Sequence, residues 1–285
     1  MKNPKAMTLI ELLAVVAILA MLMAILLPSV SQSYELSKRT ACASNLRGIG
    51  QAFYIYAQDA PNVFPTIAGT YTNTPGMMHL FYPQDRTTAP PTTGIPSPTV
   101  DMWSVVRQSY TQPKQFVCPS TTDLPDPAAD TTAYYDFSGM DNLSYGYQYQ
   151  HHPNRRVIGM TSEPTFPIVA DGNPYIKGGV TGISIQSDRL SAARGNSTNH
   201  PNRLGQNVLF QDNRVVFETG PDVGLPGRAS TVVQTVSRGR DHCYTTHLSS
   251  VNAIVDPGDE APQWTSPESA GMCDLGGKSD ACLVP

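Results

Sequence analysis

The 285-residue sequence predicts an α+β chain in which one long N-terminal helix packs on an antiparallel β-sheet head with long loops. Three observations predict it. From Met7 to Leu27, 19 of 21 residues are apolar or alanine. Apolar residues then recur at Cys42, Leu46, Ile49, Phe53 and Tyr56, on one face of a helix. Beyond residue 60 lie most of the 25 prolines and 22 glycines, in a chain where these types exceed the usual share of about 12%. Long loops must therefore belong to the C-terminal part.

Charge narrows the function classes. Only 15% of residues are charged, against about 25% in ordinary soluble proteins. The 19 Lys and Arg against 23 Asp and Glu give a net charge of -4, with no basic footprint for a phosphate backbone, so nucleic acid is not an expected partner. The chain has no Gly-x-Ser-x-Gly, His-Glu-x-x-His, Walker loop or Gly-x-Gly-x-x-Gly, so no enzymatic activity is expected.

Residues 1–6 form a short basic leader with Lys2 and Lys5, and residues 7–27 follow as one apolar helix. A 21-residue helix is about 30 Å long, enough to cross a bilayer. The positive-inside bias puts the leader in the cytoplasm and the bulk of the chain outside. Glu11 is the anomaly, since a carboxylate in a membrane helix costs about 2.5–3.5 kcal/mol and marks function by default.

The run Lys5-Ala6-Met7-Thr8-Leu9-Ile10-Glu11-Leu12-Leu13 resembles the N-terminus of type IV prepilins and of type II secretion pseudopilins. The resemblance implies cleavage between Ala6 and Met7 by a prepilin peptidase, and N-methylation of Met7. These families usually carry Gly and Phe at the two positions, and Ala6 and Met7 keep their size and polarity class. Loss of the leader leaves 17 basic against 23 acidic residues, a net charge of -6. The new α-amino group of Met7 lies four residues from Glu11, about 6 Å along a helix axis. Pairing of the two, between subunits staggered in a filament, offsets the cost of a buried carboxylate.

Residues 28–60 read as the amphipathic second half of the stem helix, ended by Pro61. Pro28 either bends the helix, as prolines at this distance do in pilins, or marks the membrane exit. The stretch Cys42-Ala43-Ser44-Asn45-Leu46-Arg47, with a later His200 to Asp212-Asn213, resembles a large pilin-like group bearing Cys-x-Ser-Asn-Leu and a C-terminal His-x9-Asp-Gly signature. Here eleven residues intervene and Asn213 replaces Gly.

Residues 61–285 read as the head. Asn207–Phe210 and Arg214–Phe217 form a hairpin whose turn uses Asn213 in the left-handed conformation. His200 and Asp212 are expected to fix this turn by hydrogen bonds. Further strands are expected at 115–118, 144–150, 166–170 and 231–236. The Pro- and Thr-rich stretch 66–100 reads as a loop insertion.

Five cysteines lie beyond the membrane span, in a compartment that permits disulfides. Cys42 with Cys118 would tie stem to head, and Cys273 with Cys282 would close a terminal loop, leaving Cys243 over. The alternative is that several are free buried thiols. His242-Cys243-x3-His247 carries zinc-type ligands at a spacing unlike a closed structural site. The pseudopilin resemblance adds calcium as a candidate cofactor, with Asp171, Asp212, Asp222, Asp256 and Asp259 as oxygen donors in no calcium-loop pattern.

The resemblance implies a structural subunit of a type IV pilus-like filament. Its partners would be copies of itself or other pilins, the prepilin peptidase, an inner-membrane assembly platform and, before assembly, membrane lipid. The head would be periplasmic first and at the cell surface later. Two alternatives stand beside it: a pseudopilin of a type II secretion system, and a membrane-anchored adhesin or binding protein delivered by the same leader.

Overall fold

Helix α1 runs without interruption from Leu9 to Asp59, about 76 Å at 1.5 Å per residue. In this computed structural model residues 7–67, 86–90, 98–148, 158–172, 176–179, 182–185, 196–220, 222–226, 240–242 and 283–284 are described. Thr8 caps the start: its hydroxyl accepts from the Glu11 amide at 3.3 Å, while its own amide donates to the Glu11 carboxylate at 2.8 Å. This reciprocal capping box satisfies two amides that the first turn leaves open. Pro28 sits inside the helix, which continues past it. At the other end Ala60 is extended, as the residue before a proline prefers, and its amide closes the last turn on the Tyr56 carbonyl.

The remaining elements, in chain order, are α2 (Pro98–Arg107), β1 (Tyr145–Gln148), β2 (Pro167–Asp171), β3 (Ile176–Gly179), β4 (Gly182–Ile185), β5 (Gln206–Phe210), β6 (Val215–Glu218), β7 (Asp222–Pro226), β8 (Arg240–His242) and β9 (Leu283–Val284). The central sheet has the order β6-β5-β2-β1-β9, and every pair in it is antiparallel. The β3-β4 and β7-β8 pairs form two small separate sheets.

The predicted α+β architecture is therefore the observed one. Cys42, Leu46, Ile49, Phe53 and Ala57 of α1 are buried against the sheet with Tyr145, Tyr147, Val169 and Leu209. Tyr56, placed on that face by its spacing, is only half-buried, and Ala57 takes the inner position. The opposite sheet face is covered at Ala170, Val208 and Phe210 by Val223 of β7. Strands β1, β2 and β5 are buried along their whole length.

Two readings of the head need correction. The segment 115–118 is not a strand: Pro113–Phe116 forms a 3-10 turn, opened by proline at its first position. Within the stretch read as loop, Pro98 opens helix α2, whose Met102, Trp103, Val105 and Val106 are fully or almost fully buried. Its apolar residues fill more than one face, so no single stripe marked it. The expected strand at 231–236 lies outside the described residues.

The hairpin joining β5 and β6 turns at residues 211–214, with Asn213 at φ 63°. Asp212 accepts from the Arg214 amide at 3.0 Å and supports that turn. His200 lies elsewhere, 0% exposed at its side chain and facing Glu35 and Asp171.

Candidate functional site

Among the described residues, the first half of α1 is not covered by any other element. Leu9, Ile10, Leu13, Met21, Met23 and Leu27 are each more than 60% exposed. The helix is long and apolar enough to cross a membrane, and among the described residues the apolar stretch is not buried. Glu11 lies at the start of this rod, held by Thr8, whose hydroxyl also donates to its carboxylate at 2.8 Å. The Thr8-x-x-Glu11 spacing was readable as a capping box in the sequence, beside its place in the Thr-Leu-Ile-Glu run. Ala6 lies outside the described residues.

A second constellation sits where the stem meets the head. Cys42, Cys118, Asp171 and His200 are buried, and their ligand atoms all lie within 4.8 Å of one another. Each comes from a different segment. Cys42 projects from the buried face of α1. Asn45, one turn on, donates to the Val117 carbonyl at 3.0 Å and draws the next residue, Cys118, against the helix. The Cys118 amide is held in turn by the Ser144 hydroxyl at 2.9 Å.

Asp171 ends β2 opposite Tyr145 of β1. The Asn207 amide donates to Asp171 Oδ2 at 2.7 Å, and Asn199 Nδ2 donates to Oδ1 at 3.3 Å. Cys42 Sγ is 3.1 Å from Oδ1 and 3.2 Å from the Tyr145 hydroxyl. His200 points Nε2 at Asp171 Oδ2, 3.1 Å away, and Nδ1 at Glu35 Oε1, 2.9 Å away. Phe217 packs edge-on against its ring.

These surroundings set the protonation chemistry. Burial pulls His200 toward the neutral form, but its bonds to Asp171 and Glu35 outweigh burial and raise its pKa. The Cys42 contact lowers the Cys118 thiol against the opposing effect of burial. Burial drives the Tyr145 phenol well above its ordinary range.

The sequence singled out all four residues but assigned them to three separate roles. Cys42 and Cys118, expected to pair, do meet, and they are free thiols in the structure. Asp171 is surrounded by thiols and imidazole rather than the oxygen shell that calcium takes. Asp212 lies apart at the hairpin turn. Among the described residues, no other group of three or more His, Cys, Asp or Glu side chains comes together as a candidate cation site. Asp222 lies in β7 and His242 in β8, while Cys243, His247, Asp256, Asp259, Cys273 and Cys282 lie outside the described residues.

Residues 1–27 match the family model of the prokaryotic N-terminal methylation motif. The motif and the long apolar helix it opens support a type IV pilin-like protein. No curated protein and no solved structure matches the chain.

Proposed function

We propose that the chain is a structural subunit of a type IV pilus-like filament, assembled through its N-terminal helix after removal of residues 1–6. The observation that carries this reading is the exposed apolar half of α1, which opens directly at the methylation motif. Exposed apolar area is costly in water at about 25 cal/mol per Å². An apolar helix half left exposed among the described residues needs lipid first and neighbouring stems afterwards. The second half of α1 is covered by the head, so heads would decorate the outside of a bundle of stems. This work needs assembly and no covalent turnover.

Shearing the producing cells tests it. Filaments rich in this chain, seen in the sheared fraction by electron microscopy and mass spectrometry, are the expected result. Retention of all the protein in the envelope would overturn the pilus reading in favour of a secretion pseudopilin or an anchored binding protein.

A further inference from the structure

We propose that Cys42, Cys118, Asp171 and His200 hold one zinc ion, which pins the second half of the stem helix to the head sheet. The donor set is two sulfurs, one carboxylate oxygen and one imidazole nitrogen, all types that zinc accepts. It differs from the common Cys2His2 set by one carboxylate in place of a second imidazole. Tetrahedral zinc with bonds of about 2.0–2.3 Å separates its ligand atoms by roughly 3.3–3.8 Å. The 3.1 Å contacts of Cys42 with Asp171 Oδ1 and of His200 with Asp171 Oδ2, and the 4.8 Å limit for the set with one oxygen from Asp171, bracket that range.

Three further features belong to a metal centre. His200 gives Nδ1 to Glu35, the carboxylate-histidine arrangement that fixes which nitrogen faces a metal. Its other nitrogen then faces Asp171 Oδ2 across 3.1 Å and the Asn207 side-chain amide across 3.2 Å, which aims it at the point where the carboxylate and the thiols converge. Asp171 is 0% exposed and His200 is 1% exposed, which describes a closed structural site with no open position for substrate.

A Cys42-Cys118 disulfide would account for the sulfurs alone. It leaves unexplained why a buried carboxylate and a braced imidazole converge on the same point. Zinc binding balances simply. Both thiols lose their protons to solvent, His200 binds as the neutral imidazole through Nε2, and no oxidant is consumed. Soft thiolates also select zinc over calcium. The mechanical effect follows from position: one ligand is on the stem helix and three are on the head.

The test uses the full-length chain, purified in detergent under reducing conditions without chelator and supplied with zinc. Elemental analysis is expected to give one zinc per chain. X-ray absorption is expected to give two sulfurs at about 2.3 Å and two nitrogen or oxygen neighbours at about 2.0–2.2 Å. Asp171→Asn and His200→Gln should each lower zinc content at least tenfold, while His247→Gln retains it. The absorption measurement needs no variant, so misfolding of the variants does not shield the proposal. Less than a tenth of a zinc per chain, a shell without two sulfurs, loss of zinc in His247→Gln, or a Cys42-Cys118 disulfide in protein taken from its own envelope would each overturn it.

Discussion

Glu35 Oε1 and His200 Nδ1 lie 2.9 Å apart although 165 positions separate them in the chain. Glu35 stands where α1 leaves the head, and it also accepts from the Ser120 hydroxyl at 3.0 Å and lies 3.7 Å from Arg39 Nε. It thus joins the stem both to the Cys118 loop and to His200. Among the described residues the helix is exposed up to Tyr34, and its buried face begins two turns after Glu35, at Cys42.

Glu35→Ala is expected to weaken zinc binding by about 10–100-fold, the usual effect of losing a carboxylate that orients a metal-bound histidine. Competition with a chromogenic chelator measures this. Glu35→Gln keeps an acceptor for Nδ1 and should recover part of the loss. Equal affinity in wild type and Glu35→Ala would remove Glu35 from the site.

The two halves of α1 should respond oppositely to truncation. Phe53 is 0% exposed and meets the Tyr147 ring edge-on at 5.0 Å between centroids. Phe53→Ala should cost about 3–5 kcal/mol of head stability, read by denaturant unfolding in detergent. Leu22 is 52% exposed, so Leu22→Ala should leave that unfolding midpoint unchanged. Its effect should appear as reduced filament yield. A shifted unfolding midpoint in Leu22→Ala would mean that the apolar half is already packed within the chain.

Glu11 has two separable tasks, capping the helix and carrying charge. Glu11→Gln preserves an acceptor for the Thr8 amide, whereas Glu11→Ala removes it. Both variants should insert into membranes normally, and both should yield fewer filaments. Full filament yield from Glu11→Gln would reduce the role of Glu11 to capping.

The stem was legible because its signals are local. A 21-residue apolar run, a face recurring every three or four residues and a terminal Pro61 each lie within a short window. The β5-β6 hairpin was legible for the same reason, through Asn213 in its turn. Helix α2 was not, because it is buried on more than one face and opens in a Pro-rich stretch. The buried cluster was visible only in pieces. Cys42, Cys118, Asp171 and His200 share no motif spacing, and only the packing of α1 on β1, β2 and β5 brings their side chains together.

Every step of the proposed assembly depends on processing at the start of the stem. Intact mass and N-terminal peptide mapping of the chain, expressed with a prepilin peptidase and recovered from membranes, test that directly. The predicted result is a chain that lacks residues 1–6 and begins with singly methylated Met7. A chain retaining Met1, or one cut beyond Leu27 as a secretory signal would be, contradicts it.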